Sequence, residues 1–197
     1  MTQTKQRLTA DERRDAVLHA ASRVFTTRSY RGATTAEIAR ESGISEPILY
    51  RHFGSKRDLY LACLDESWRG LREFSEEAIA SDPHGCLGRI AEAYMASQEP
   101  VRLIDLWIQA LSVAPEDEVI AVALREQIRD VHAFFADAIR KGQEFGDVLP
   151  ARDPVAEAWI FVGNGFLLTV GNRLGGLLST DDFARIGRER RQWMRGR

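Results

Sequence analysis

Apolar residues recur at helical spacing along nearly the whole chain, and no stretch alternates apolar and polar residues as a β-strand would. Thr9 and Glu12 stand three residues apart ahead of the first apolar stripe, which is the spacing of a capping box. This first stripe comprises Val17, Leu18, Ala21, Val24 and Phe25. The pattern predicts an all-α protein of about nine helices, the first running from Thr9 to about Thr27.

Capping residues, glycines and prolines divide the rest of the chain into further helices. Thr34 and Glu37 form a second capping box, and Gly43 suits the left-handed turn that ends a short helix. Ser45 and Ser55 are expected to cap the next two helices. The predicted helices cover residues 34–42, 45–53, 55–80, 84–98, 101–113, 116–142, 154–175 and 180–194, with Asp153 and Thr180 as N-caps of the last two.

Composition and motifs narrow the functional classes. The 197 residues are 44% hydrophobic and 28% charged, which is typical of a globular protein and unlike a disordered or fibrous one. Cys63 and Cys86 are too few for a disulfide scaffold, and the four histidines do not stand at zinc-site spacings with them. The sequence lacks a P-loop, GxSxG, HExxH or dinucleotide fingerprint. We therefore expect no catalytic residues, no metal and no cofactor.

The N-terminal residues and the distribution of charge bear on where the protein is located in the cell and on what it binds. The chain starts with Met-Thr-Gln-Thr-Lys and has no apolar leader there, so a cytoplasmic protein is expected. Its net charge of −2 hides an asymmetry, because residues 1–60 carry an excess of cations and residues 61–183 an excess of anions. A basic head on an acidic body suggests that only the head meets a polyanion, although so small an excess also arises by chance.

Two of the predicted helices, 34–42 and 45–53, meet at Gly43 through a three-residue turn, and the first helix can pack across both. This is the arrangement of a helix-turn-helix, which places its second helix in the major groove of DNA. Ile44, Leu49 and Phe53 face inward on this interpretation. The outward-facing residues of the second helix are Ser45, Glu46, Pro47, Tyr50, Arg51 and His52.

A more specific resemblance covers about Arg14 to Leu64. It is carried by Thr34-Thr35, Ile38-Ala39, Ser42-Gly43-Ile44-Ser45, Leu49-Tyr50-Arg51-His52-Phe53-Gly54-Ser55-Lys56 and Leu59. This stretch resembles the N-terminal module of the TetR family of bacterial transcriptional regulators. The resemblance implies a DNA-binding domain at 1–54, a ligand-binding and dimerisation domain at 55–197, and a helix 55–80 that links the two. It also implies a homodimer on a near-palindromic operator, released when a small-molecule effector binds.

The resemblance assigns roles within the head. Thr34, Thr35, Tyr50 and Lys56 are expected to contact phosphates, and His52 gains a charge for the same purpose when protonated. Base edges are the expected partners of Ser45, Glu46, Pro47 and Arg51. Glu46 either accepts from a cytosine amino group or pairs with Arg51 or Arg40 to orient that side chain. On the N-terminal arm, Lys5 and Arg7 are candidates for the minor groove.

In the body, residues 158–180 carry one charge, Arg173, so a membrane span has to be considered. Asn164, Asn172, Arg173 and five glycines in the segment argue against a span. Gly163, Gly171 and Gly175 would instead let a partner helix approach closely. Following the family's usual interface, the predicted dimer contacts are Gly163, Phe166, Leu167, Val170, Gly171, Leu174 and Leu178.

Large aromatic residues in the body are candidates for an effector pocket. The predicted lining comprises Trp68, Tyr94, Trp107, Phe134, Trp159 and Asn164. The resemblance to the family favours a repressor that an unidentified small molecule releases from DNA; the residues themselves do not distinguish a repressor from an activator, because that depends on where the operator lies. The alternative is a helical module that binds a small molecule or a protein and whose DNA-binding head is vestigial.

Overall fold

The computed structural model describes residues 9–81, 84, 85, 87–91 and 103–196, and all regular secondary structure among them is helical. The predicted all-α architecture is therefore confirmed. Residues 87–91 are helical inside the predicted segment 84–98, whose other positions, apart from 84 and 85, lie outside the described residues, as does the arm carrying Lys5 and Arg7. The further helices are α1 (Ala10–Gly32), α2 (Thr35–Glu41), α3 (Glu46–His52), α4 (Lys56–Ser81), α5 (Leu103–Leu111), α6 (Glu118–Glu144), α7 (Pro154–Leu174) and α8 (Thr180–Arg195).

Most helix starts follow the capping residues that the sequence offers. Thr9 and Glu12 bond reciprocally, and Asp153 accepts from the first two free N–H groups of α7. The N-cap predicted at Thr180 is wrong by one residue, because Ser179 forms a capping box with Asp182. Ser45 occupies the N-cap position of α3, but its side chain makes no capping bond there.

The first helix extends five residues beyond its predicted end at Thr27, because its backbone turns at Ser29 and then continues to Gly32. Ser29 has φ 64° and ψ 165°, a conformation that is nearly restricted to glycine. Its carbonyl accepts from the N–H of Ala33 at 3.1 Å, and its hydroxyl accepts from the N–H of Gly32 at 3.3 Å. The turn thereby aims the carbonyls at the end of α1 in a new direction.

The chain divides into two compact units that are not continuous in sequence. Unit 1 contains residues 1–67 and 100–124, and unit 2 contains residues 68–99 and 125–197. The predicted domain boundary between residues 54 and 55 separates a DNA-binding function from a ligand-binding one rather than two packed units, and it stays a prediction. Both α4 and α6 contribute residues to each unit.

Unit 1 is built around an aromatic and aliphatic core. Phe25 meets Tyr60 edge to face at 4.8 Å, and the Tyr60 hydroxyl donates to the carbonyl of Leu106 at 2.5 Å. Trp107 is also fully buried there. Burial raises the pKa of the Cys63 thiol to about 12, so this cysteine is a packing residue rather than a nucleophile. Segment 103–111 thus completes the core on which the N-terminal helices rest.

Unit 2 packs α6 against α7, with α8 beside α7. Phe135 and Phe161 place their ring centroids 4.4 Å apart, and Ile139, Ala158 and Val162 are buried. A carboxylate joins α7 to α8: Glu157 is 7% exposed, forms an ion pair with Arg190 and accepts from Trp193 Nε1 at 2.9 Å. Because both partners donate to it, the buried charge of Glu157 is compensated.

Candidate nucleic-acid interface and sensor body

The helix-turn-helix is closed by backbone hydrogen bonds around Gly43. The N–H groups of Gly43 and Ile44 donate to the carbonyls of Arg40 and Ala39 at 3.1 and 3.0 Å. Gly43 has φ +70°, the conformation that the turn requires and that glycine adopts without strain. Two short helices are thereby held at a fixed turn in unit 1.

Buried anchors hold the second helix of this motif. Leu49 and Phe53 are buried, as are Ile38 and Ala39 on α2. A seven-residue helix is too short to be stable alone, so these contacts keep α3 folded. The opposite side of α3 is left to solvent. Ser45, Pro47, Arg51 and His52 are exposed, Tyr50 is 46% exposed, and Glu46 is half-buried.

A hydrogen-bonded chain runs across the start of α2 and α3. The Thr35 hydroxyl donates to Glu46 Oε1 at 2.5 Å and lies 3.1 Å from the Tyr50 hydroxyl. Because Thr35 has one hydroxyl proton and gives it to the carboxylate, Tyr50 is the donor in the second bond. Glu46 is therefore oriented by Thr35 rather than by Arg40 or Arg51. Thr34, in contrast, accepts from the N–H of Glu37 and keeps its own proton for another acceptor.

Lys56 has a structural role that its sequence position did not reveal. Its ammonium donates to the carbonyls of Tyr30 and Ala33 at 3.0 and 3.1 Å and lies 4.8 Å from the centre of the Tyr30 ring. Burial lowers its pKa from the ordinary lysine value. Two of its three protons thus join the start of α4 to the end of α1, and one is left for a phosphate.

Several arginines of unit 1 form ion pairs with carboxylates. Arg28 pairs with Glu37 at 3.4 Å, Arg57 with Asp117 at 3.4 Å, and Arg31 with Glu116. Surface pairs of this kind are weak and exchange readily for other partners. On the exposed side of α3 the cationic groups are therefore Arg51 and, when protonated, His52.

The structure describes five of the six predicted pocket residues, and these five belong to two different units. Trp107 belongs to the core of unit 1, whereas Trp68 and Phe134 meet edge to face at 5.6 Å in unit 2. Trp159 is 46% exposed and stacks on His132 at 4.0 Å, and Tyr94 lies outside the described residues. Among the five that the structure describes, Asn164 alone borders a cavity of about 160 Å³ in unit 2.

That cavity involves residues which the sequence analysis did not select. It lies between Gly85, residues 87–91, the end of α6 and its following turn, α7 and the second half of α8. Four glycines border it: Gly85, Gly88, Gly142 and Gly187. Arginines at 190, 191 and 195 border it as well. A cluster of small residues facing charged ones across helices gives no periodic signal in a sequence. Elsewhere in the described part of the chain, no group of His, Cys, Asp and Glu side chains is placed to hold a metal ion.

One side of α7 presents apolar residues to solvent. Ile160, Gly163, Leu167, Val170 and Leu174 alternate at spacings of three and four and are all exposed, Leu174 at 67%. We call these five residues the α7 stripe. Among the other predicted dimer contacts, Phe166 and Leu178 are half-buried. Gly171 faces the same chain, because a side chain there would meet the Phe183 ring at 3.4 Å.

Two family models match the sequence. The model described as bacterial regulatory proteins, tetR family, matches residues 17–63, and the model described as BetI-type transcriptional repressor, C-terminal, matches residues 83–163. The HTH-type transcriptional regulator BetI of Brucella canis is 30% identical over 132 residues, which are 66% of this chain and 67% of that protein. The chain belongs to the TetR family. The resemblance seen in the sequence is thereby confirmed.

Other relatives match the head or the whole fold. The HTH-type transcriptional activator FasR of Mycolicibacterium smegmatis is 55% identical over 58 residues, but the match spans only 26% of that protein. A TetR-family regulator from Rhodococcus sp. superposes with a TM-score of 0.72 at 25% identity, covering 92% of this chain and 95% of that one. A regulator from Saccharomonospora viridis in complex with choline gives 0.74 at 23% identity over 91% and 95%. The protein is a TetR-family transcriptional regulator, a class that does not include enzymes.

Proposed function

We propose that this TetR-family protein is a repressor that binds a near-palindromic DNA operator as a homodimer and is released by a small-molecule effector. The observation that carries the DNA-binding part is the exposed polar face of α3, held by Leu49 and Phe53 at the fixed turn of Gly43. The groups that contact DNA in this proposal are Tyr50, Arg51 and His52 on α3, the third proton of Lys56, and Thr34 at the start of α2. Activation in place of repression is the contrasting possibility, since FasR carries that name.

The α7 stripe supports the homodimer. Alternating spacings of three and four are those of a helix that packs along a second helix, and Gly163 lets the two backbones approach. Burial of four large apolar side chains stabilises such an interface by about 1.5–3 kcal/mol each on complete burial. Two reading heads on a twofold axis then match an inverted repeat.

The same helix has the length and composition of a membrane span. Over 18 of its residues the mean hydropathy is 1.2, and 33% of that stretch is buried. We assign it to the subunit interface, because Ala158, Val162 and Leu168 pack inside unit 2 while the apolar exposed residues form one stripe. Asn164, Asn172 and Arg173 on the same helix would also be unfavourable in lipid. A cytoplasmic location is part of this proposal.

The test is selection of binding sites from random duplex DNA by the full chain without added ligand. We expect an enriched inverted repeat. Arg51→Ala should lose the enrichment at one position of each half-site, while Arg129→Ala, which removes an exposed arginine of unit 2, should retain it. No enrichment by folded protein, also after unfolding and refolding to strip any bound ligand, would overturn the proposal and favour the module with a vestigial head.

A further inference from the structure

The starts of α2 and α3 are joined by a bond between two side chains. Thr35 and Glu46 are the first residues of these helices, and the Thr35 hydroxyl donates to Glu46 Oε1 at 2.5 Å across eleven positions of the chain. The backbone bonds of Gly43 and Ile44 to α2 fix the intervening turn, so the fold of the motif sets where the two side chains stand. The bond is therefore a built-in feature of the helix-turn-helix.

The orientation of Glu46 depends on Thr35. Of the cations considered as alternative partners, Arg40 pairs instead with Glu37 at 3.9 Å. Arg51 follows Glu46 by five positions rather than the three or four that place side chains next to each other on a helix. A glutamate in water samples several rotamers, whereas a charge-assisted hydrogen bond holds this one in place.

The proton count decides what this cluster can offer to DNA. Thr35 gives its one hydroxyl proton to Glu46 and accepts from Tyr50, whose hydroxyl lies 3.1 Å away. Thr35 therefore has no proton left for a phosphate oxygen. Glu46 keeps its second carboxylate oxygen, which can only accept a hydrogen bond. In the major groove the matching donor for a carboxylate is the amino group of cytosine.

The two adjacent threonines before and at the start of α2 differ in their hydroxyl chemistry. Thr34 is exposed, accepts from the N–H of Glu37 at 3.1 Å and keeps its own proton. Thr35 is half-buried and has given its proton away. The sequence suggests the same phosphate contact for both, but only Thr34 has a proton to donate to one.

We propose that Thr35 is a positioning residue, which sets the base preference of the head through Glu46 and does not contact a phosphate. The bond holds the carboxylate in one place before DNA binds, so less side-chain ordering is needed when a base amino group is contacted. A base pair that presents an acceptor at that place meets a carboxylate that is held against it, which disfavours the wrong sequence. The inference rests on the proposed function, since it requires the exposed side of α3 to read DNA.

The test compares variants that differ in one hydroxyl. Thr35→Val removes the hydroxyl and keeps the shape of the side chain, whereas Thr35→Ser keeps the hydroxyl. Site selection by the original chain supplies the operator, and the position at which Glu46→Ala changes the preference marks the base pair that Glu46 reads. Fluorescence anisotropy then measures the dissociation constants for this operator and for a duplex with that base pair exchanged. The ratio of the two constants is the discrimination.

The original chain should prefer its operator at least about tenfold, as expected of one specific contact between a side chain and a base. Thr35→Val should lower this ratio at least about threefold, because a hydrogen bond to a charged group is lost. Its affinity for the exchanged duplex should stay within about twofold, since no phosphate contact is removed. Thr35→Ser should keep the original ratio. An equal loss of affinity for both duplexes would mean a phosphate contact and would overturn the proposal.

A second comparison shows whether Thr35 acts through the carboxylate. In a chain that already carries Glu46→Ala, Thr35→Val should leave the ratio unchanged, because the side chain that Thr35 positions is absent. A further fall in the ratio would overturn the proposal. Melting temperatures establish that each variant is folded, and Thr35→Ala repeats the test if valine disturbs the start of α2.

The two proposals fail in different ways. If the original chain selects an inverted repeat and Thr35→Val keeps its ratio, the positioning role is wrong and the DNA-binding regulator stands. The same conclusion follows if Glu46→Ala changes the preference at no position. If the original chain selects no repeat, the proposed function is wrong, and the base contact that Thr35 positions is wrong with it.

Discussion

Thr35 donates a 2.5 Å hydrogen bond to Glu46, so a residue at the start of α2 orients a carboxylate at the start of α3. The bond changes how both residues are understood. Thr35 was predicted to hold a phosphate, but its proton is committed to Glu46 and its oxygen accepts from Tyr50. Glu46 retains a second carboxylate oxygen, which we propose as the acceptor for a cytosine amino group.

Glu46→Ala is therefore expected to change base preference at one position of each half-site. It should also strengthen binding to all duplexes, because a carboxylate near the phosphates is removed. Site selection and fluorescence anisotropy measure the two effects. Glu41→Ala is the matched control: it removes an exposed carboxylate of α2 and should leave the selected sequence unchanged. An identical selected sequence for Glu46→Ala would rule out base reading by Glu46.

Lys56→Ala should affect both stability and DNA binding. Loss of the bonds to Tyr30 and Ala33 is expected to lower the free energy of unfolding by about 1–3 kcal/mol, measured by urea denaturation. Loss of a phosphate contact should flatten the salt dependence of binding by roughly one unit. Arg57→Ala removes only a surface ion pair and should cost less than about 1 kcal/mol. A salt slope that Lys56→Ala leaves unchanged would make the role of Lys56 purely structural.

Ser29 offers a test of backbone strain at the end of α1. Ser29→Gly and Ser29→Ala both remove the hydroxyl that accepts from Gly32, but only glycine fits φ 64° without strain. Ser29→Gly should therefore be more stable than Ser29→Ala by about 1 kcal/mol, after allowance for the greater freedom of glycine in the unfolded chain. Denaturant midpoints measured on both variants decide this, and equal midpoints would contradict a strained Ser29.

Leu167→Glu and Leu174→Glu should each separate the proposed homodimer into folded monomers. A carboxylate on the α7 stripe would have to be buried without a partner, which costs several kcal/mol and weakens association at least about a hundredfold. Sedimentation equilibrium measures the dissociation constant. Leu111→Glu, at an exposed leucine of α5, should leave association intact. Dimers that survive both stripe substitutions would place the interface elsewhere.

Local signals predicted much of the helical layout because capping and turn chemistry act over a few residues. Thr9 with Glu12, Gly43 and Asp153 perform the roles that their spacing indicated. The start of α8 shows the limit of these local signals, because Ser179 and Thr180 are adjacent hydroxyl residues and both precede acidic residues in the sequence. Ser179 forms the box because its spacing of three to Asp182 closes both bonds.

Long-range placement was not predictable from these signals. Trp107 and Trp159 are alike in a pattern of apolar positions, yet one is fully buried in unit 1 and the other is exposed in unit 2. The second role of Lys56 depends on the turn at Ser29, which directs the carbonyls of Tyr30 and Ala33 towards it. The residues that make these contacts are 23 or more positions apart in the sequence, so a pattern that spans a few neighbouring residues does not reveal them.

The discontinuous make-up of unit 1 bears on the construction of hybrid regulators. A hybrid that takes residues 1–67 from this protein and the remainder from a relative would separate Tyr60 from the carbonyl of Leu106 that its buried hydroxyl bonds. The foreign segment would have to supply both an acceptor and a matching surface for the N-terminal helices. Exchange of DNA specificity between such proteins therefore proceeds more safely by replacing the exposed positions of α3, or by transferring residues 100–124 together with the head.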